Sequence, residues 1–405
     1  MAETATSETG VRASMRDAAA ARGAATPSGD AALPALASVA MDQWRALAAG
    51  ACEPNGFYLP DWALAIDAFA HGRTGLSALT AWSDMPGQRR LIGLMPVISL
   101  WRASKIPLPA LVSADVYGTV GTPLLDLAAA DEAARKLMRQ ARGAGARALI
   151  LRNVALDGAA MKTLTRVLDT DGLRPAVLHA HARACLDATR DAGDLLRAGL
   201  GAKKLKELRR QRHRLAEHGE VTFDMARTPD NVSRALEIFL KLEASGWKAG
   251  RGTALLQQEG DAAFIRRAAA TLAAHSRCEI ATLAAGATPV AAAIIVRHQD
   301  RAFYFKLGID ERFARFSPGV QLTLDLTRHL CADPAIAVVD SLASPDHPMI
   351  NPIWRGRLAI GDVLIPLARR DPVVPLIHAA LMLRQGIRRR LGRAVRLLRG
   401  LKQKR

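Results

Sequence analysis

The chain has 405 residues, half of them hydrophobic and only 4% aromatic, with 56 Lys/Arg against 38 Asp/Glu and a net charge of +18. That length suffices for two domains with buried cores, and the absence of any uncharged apolar run of ~18 residues excludes a membrane-spanning helix. No basic-then-apolar leader opens the chain, and Cys52, Cys185, Cys278 and Cys331 stand far apart, which fits reduced cytosolic thiols rather than a disulfide or zinc framework.

Residues 1–35 are rich in Ala, Gly, Ser and Thr without apolar periodicity and are expected to be disordered. A helix is expected from about Leu36 and another over Trp62–Phe69. "RRLIGLMPVISL" (89–100) reads as a buried strand that ends before a Pro-rich turn at 107–109. "DEAARKLMRQARGAG" (131–145) is a helix stopped by glycine, "ARALILRNV" is a strand, and a further helix follows at about 158–171. "GLRPAVLHAHARACLDA" (172–188) reads as strands again.

The second half restarts the cycle. A helix is expected over 201–218, with Leu205, Leu208 and Leu215 on one stripe and Lys206, Arg210 and Arg214 on another. "VTFDMA" is a strand, and 229–245 and 260–276 are helices. "CEIATLAA", "TPVAAAIIVRHQ" and "RAFYFKLGID" make an antiparallel run with turns at Gly286–Pro289 and at Asp300. A helix after Gly319 runs to about Leu330, and "IAVVDSL" is the next strand.

Two stretches concentrate the charge. Residues 203–214 hold seven Lys/Arg against one acid, and 384–405 hold ten and no acid. Such clusters favour phosphates, acidic lipids or nucleic acid. Over 376–401, Leu376, Ala380, Leu383, Ile387, Leu391, Val395 and Leu398 form a helical stripe. Arg388, Arg389, Arg393, Arg396 and Arg399 cover the remaining surface. That pattern suits a helix lying in an anionic bilayer surface, and implies a cytoplasmic protein that visits the inner membrane face.

"FKLGIDERFARFSPGVQL" (305–322) raises the sharpest question. The first amides of a helix lack partners and carry the positive end of the dipole, so the Ser317-Pro318-Gly319 start is a ready site for phosphate. An ordinary turn, with Ser317 as N-cap and Pro318 in the first turn, is the competing reading.

The succession of "LKELRRQRHRLAEHGEVTF", "FLKLEASGWKAGRGTAL", "TPVAAAIIVRHQDRAFYFKLGIDERFARFSPGVQL" and "IAVVDSL" resembles the GNAT acetyltransferase superfamily. The likeness is to its CelD-like bacterial branch, related to the Fem-type peptidyltransferases. The resemblance implies an α/β (α+β) fold of two tandem GNAT-like domains with mixed, largely antiparallel sheets flanked by helices. The expected layout is an N-terminal domain over 36–185 without its own coenzyme site, a coenzyme-binding domain over 186–370 and a basic helical tail over 371–405.

The resemblance also implies a site. Strands 301–308 and 336–341 splay apart around the pantetheine arm of acetyl-CoA, the cosubstrate, with no metal. Residues 315–320 take the pyrophosphate, through Arg315, Ser317 and the amides of Gly319, Val320 and Gln321. Strand alternation puts Tyr304 and Lys306 on one face and Phe303 and Phe305 on the other. Tyr304 is the candidate acid for the departing thiolate. Asp340 is a candidate base or orienter, and His347 a candidate base that titrates near neutrality. Trp247, Lys248 and Arg251 of "SGWKAGRGT", with Lys306 and Trp354, are candidate acceptor-side residues. Many relatives carry a lysine between the Asp and the Trp, whereas Asp340–Trp354 contains none, so a different acceptor or lost activity stays open.

The leading reading is an acyl-CoA-dependent N-acyltransferase, with acetyl the first-choice acyl group, whose acceptor is an amino sugar or a lipid-linked envelope or exopolysaccharide precursor. Fem-type transfer from aminoacyl-tRNA stays open, with 203–214 suited to tRNA phosphates. So does a non-catalytic scaffold that holds an anionic membrane or another polyanion.

Overall fold

The computed structural model describes residues 33–84, 89–114, 117–245 and 254–402. The expected disorder of 1–35 falls almost wholly on residues outside these ranges.

In the N-terminal half, helices α1 (Met41–Ala49) and α2 (Pro60–Phe69) precede strands β1 (Ser77–Trp82) and β2 (Leu91–Ser99). The short helix α3 (Leu100–Ser104) then leads to β3 (Ala110–Ser113) and β4 (Leu124–Leu125). Helix α4 (Ala130–Gly143), strand β5 (Ala148–Ala155), helix α5 (Ala159–Thr170) and strand β6 (Ala176–Asp187) complete it. In α4, Asp131 and Glu132 sit in the first turn and Arg142 in the last, both favourable to the helix dipole. Its Ala133, Ala134, Leu137, Met138 and Ala141 are buried, at the spacing the sequence shows.

The C-terminal half runs α6 (Ala192–Ala216), β7 (Val221–Ala226), α7 (Pro229–Ser245), α8 (Glu259–Ala274), β8 (Cys278–Ala285), β9 (Thr288–His298) and β10 (Arg301–Ile309). Helix α9 (Pro318–Cys331), strand β11 (Val338–Asp340), the one-turn α10 (Ile350–Ile353), strand β12 (Gly356–Pro366) and helix α11 (Val373–Lys402) follow. Helix α6 begins before the expected 201 and carries a break at Gly201, whose φ of 72° only glycine adopts freely.

One mixed sheet joins everything, in the order β1-β2-β3-β5-β12-β6-β11-β10-β9-β8-β7 with β4 beside β2. The halves repeat one plan. An antiparallel run (β1–β3, or β7–β10) is followed by a helix and a strand parallel to the last of the run: β5 on β3, β11 on β10. The other pairings of named strands are antiparallel. The fold is therefore α/β, a largely antiparallel mixed sheet flanked by helices.

Strand β12 has crossed over. It lies between β5 and β6, and β6 pairs in turn with β11. The expected boundary at 185/186 falls inside β6. A continuous core also links the halves. Trp62 of α2 meets Phe305 of β10 and Phe264 of α8 edge-on, at centroid distances of 4.9 and 5.0 Å. Phe57 meets Phe303 at 5.1 Å.

Candidate functional site

Strands β10 and β11 pair over Arg301↔Val338, Ala302↔Val339 and Phe303↔Asp340, and there β11 stops. The side chain of Asp340 causes the stop. Its Oδ1 accepts the amide of Leu342 at 2.8 Å, a local turn that holds Leu342 at a positive φ of 50°. Beyond that point β10 runs on paired with β9 but parted from β11, and the gap is a cavity of about 370 Å³. Tyr304, Phe305, Lys306, Leu307 and Ile309 form one wall, and Ser341, Leu342, Ala343, Ser344, His347, Met349 and Ile350 the other. A lining of this kind, apolar at Leu307 and Ile309 and polar at Ser341, Ser344 and His347, suits an extended ligand with a polar end.

The expected alternation on β10 is corrected by a β-bulge. The ladder to β9 steps from Tyr304↔Ile295 to Lys306↔Ile294 and leaves Phe305 without a partner. Phe303 and Phe305 both enter the core under α7 and α8, and Tyr304 enters the core of the opposite face. After the bulge the phase is reversed. Lys306 reaches α7, where its Nζ donates to Glu243 Oε1 at 2.9 Å, while Leu307 and Ile309 point to the face of Tyr304. Tyr304 and Lys306 therefore lie on opposite faces.

The start of α9 rims this cavity. Gly319 is buried, and a Cβ there would sit 2.9 Å from Leu307 Cδ2, 3.2 Å from Ile309 Cγ2 and 3.6 Å from Met349 Sδ, all lining residues. Only glycine lets the helix start approach β10 so closely. Ser317 occupies the N-cap position but is left-handed (φ 54°, ψ 51°) and makes no side-chain cap. That departs from an ordinary N-cap and holds strain at the helix mouth.

Gln321 does not offer a free amide. Its N–H donates to Ser317 O at 3.0 Å, and its side chain donates to Leu208 O at 2.8 Å, inside the packing of α6 on α9. Among the described residues, no backbone carbonyl accepts from the amides of Gly319 and Val320. Arg315 is exposed, its guanidinium 4.7 Å over the ring of Phe316.

Tyr304 is almost wholly buried, and its ring lies 5.7 Å from that of Trp354. Its hydroxyl is 3.2 Å from Thr323 Oγ1. Thr323 gives its own hydrogen to Gly319 O at 2.8 Å, so the Tyr304 O–H is the donor of that pair. Burial pushes the phenol well above its usual range, so it stays protonated. Trp354 is 1% exposed and its Nε1 donates to Thr327 Oγ1 at 2.9 Å. It braces Tyr304 from the core and does not line the cavity.

Asp340 also stands behind the cavity wall. It is 1% exposed, and Oδ2 pairs with Arg183 Nη1 of β6 at 3.3 Å. His347 does line the cavity. Its Nδ1 accepts the amide of Ile350 at 3.4 Å. To act as a base the ring must give up that long bond. Trp247, Lys248 and Arg251 lie outside the described residues.

Two residues escaped the sequence reading. Glu243 is buried at the end of α7, held by Lys306 and by the amide of Leu255, which donates to Oε2 at 3.0 Å. Lys306 thus already has an anion. Arg183, the partner of Asp340, also donates to Thr119 O and Asn153 Oδ1 at 3.3 and 3.4 Å, tying β6 to β5 and to the segment between β3 and β4. A lone Arg in an alternating strand carries no signal of burial, because its partners come from three distant segments. The four cysteines are free thiols. Burial pushes Cys185 up to about 11, so it is no thiolate at neutral pH. Among the described residues, no cluster of three His, Cys, Asp or Glu could hold a metal ion.

Residues 202–347 match the family described as Acetyltransferase (GNAT) domain. No curated protein sequence matches the chain significantly. Among solved structures, FemX has a TM-score of 0.53 at 11% identity, covering 84% of this chain and 98% of its own. The C-terminal domain of a putative lysylphosphatidylglycerol synthetase from Agrobacterium fabrum has 0.51 at 14%, covering 84% and 95%. L-PGS from Bacillus licheniformis has 0.50 at 13%, covering 84% and 96%. At these identities the likeness is one of fold.

Proposed function

We propose that the chain, whose residues 202–347 match the GNAT acetyltransferase domain family, transfers an acyl group, acetyl in the first instance, from coenzyme A to an amine. One observation carries the reading: the cavity opened where β11 leaves β10, rimmed by the start of α9. An extended thioester arm fits along Leu307 and Ile309, and the free amides of Gly319 and Val320, with the dipole behind them, suit its pyrophosphate. Arg315, exposed next to this start, adds positive charge.

In this reading Tyr304 donates its proton to the departing thiolate by turning its hydroxyl from Thr323 to the cavity. His347 faces the acceptor and, on giving up its bond to Ile350, takes the proton that the attacking amine loses, while Tyr304 regains its own from solvent. Asp340 shapes the cleft through its turn with Leu342 and its pair with Arg183, rather than by touching substrate. The acceptor is an amino sugar or an envelope or exopolysaccharide precursor, for which the polar wall of Ser341, Ser344 and His347 supplies hydrogen-bonding partners. Equilibrium dialysis with acetyl-CoA is the test: saturable binding supports the reading. No binding would turn it toward aminoacyl-tRNA-dependent transfer or a scaffold.

A further inference from the structure

Among the described side chains of helix α11 there are two apolar stripes, and one of them is covered. Val373, Val374, Ile377 and Leu381 pack in a small core with Leu100 of α3 and Ile150 of β5. Arg384 continues this inner side, lining a cavity with Arg152 and His179. The other stripe is bare. Leu376, Leu383 and Ile387, spaced i, i+7, i+11, are 59%, 67% and 50% exposed. Trp101, directly after the buried Leu100 of the same small core, is 54% exposed, with the Lys105 ammonium 5.5 Å from its ring. Single exposed apolar residues are ordinary, but large ones aligned on one helix mark a surface with a partner.

The charge identifies the occupant. The sequence continues the bare stripe with Leu391 and Leu398 and places ten Lys/Arg and no acid in 384–405. A second copy of this helix would set those cations against an equal number, whereas acidic headgroups neutralise them. We propose that the stripe Leu376–Leu383–Ile387, with Trp101, lies in the surface of an anionic bilayer, the arginines reaching the headgroups. The helix rests in the plane of the membrane. Among the described residues no helix is long and apolar enough to cross one. Indole belongs at that depth, with an apolar body and a polar N–H. The inference is independent of the acyl-transfer reading.

Co-sedimentation of the full chain with vesicles of phosphatidylcholine, with and without phosphatidylglycerol, tests it. Binding is expected only with phosphatidylglycerol, weakened about tenfold or more by high salt. The double variant Leu383→Glu/Ile387→Glu should lose binding at an unchanged melting temperature, since both side chains are exposed. Arg388→Gln/Arg389→Gln/Arg393→Gln should weaken it as well. Equal binding to both vesicles, binding to neither, or undiminished binding by these variants overturns the proposal. So does a concentration-dependent dimer in sedimentation velocity that Leu383→Glu abolishes, which would make the stripe a contact between copies.

Discussion

The carboxylate of Asp340 and the guanidinium of Arg183 form an ion pair at 3.3 Å with side chains only 2% and 3% exposed, at the point where the two halves of the sheet meet. Removing one partner of such a pair leaves a buried, uncompensated charge, which costs about 3–5 kcal/mol. Arg183→Met should therefore lower the denaturant midpoint strongly. Asp340→Asn should cost less, because the amide still accepts from Leu342. A midpoint for Arg183→Met within experimental error of the parent's would mean that water reaches the pair. Loss of activity in Asp340→Asn has to be read together with this stability loss.

Gly319→Ala separates packing from charge at the helix start. Its methyl must displace the flexible end of Leu307, so a stability loss of about 1–3 kcal/mol is expected, with weaker acetyl-CoA binding. Gly319→Asp adds a carboxylate to the same clash and should abolish binding. Calorimetric titration beside a melting curve checks both. Intact affinity in folded Gly319→Asp places the phosphate site elsewhere.

Tyr304→Phe removes one hydroxyl from a packed ring. As the proton donor to the thiolate, it should lower kcat about 10²-fold while the acetyl-CoA Kd stays near the parent value. A small stability loss of ~1 kcal/mol accompanies the lost bond to Thr323. An unchanged kcat would leave the tyrosine a core residue, and His347→Gln becomes the next variant to assay.

The acid sensitivity of the fold should trace to His298. It is fully buried, accepting Asn55 N–H at Nδ1 and facing Ala48 O from Nε2, both at 2.9 Å, so it joins β9 to the N-terminal half. Burial pulls its pKa from 6.5 down to about 4. Between these values the unfolded chain binds a proton that the folded chain refuses, so stability falls as pH drops from 6.5 to 4. The loss is about 3 kcal/mol, complete below both values. Denaturant midpoints across that range check it. His298→Gln should show a flatter profile from a lower plateau.

Local pattern was enough for most elements. The apolar spacing of α4, α7 and α8, the stop near Gly143 and the hairpins at Gly286 and Asp300 are near-neighbour effects, and they stand within a few residues of where the sequence puts them. The strand–turn–helix around Gly319 was likewise legible in the residues themselves. Strand β12 gave no such signal: "GRLAIGDVLIP" became a strand because β5 and β6 offer it two edges, which only the crossover creates. The site divides in the same way. Chain order determined that β10, the α9 start and Asp340 belong together. The bulge that parts Tyr304 from Lys306, the Glu243 that claims Lys306 and the Arg183 that claims Asp340 were decided by the tertiary structure. A charged side chain buried in a protein takes whatever opposite charge the fold brings within reach, and that partner can stand more than a hundred residues away in the chain.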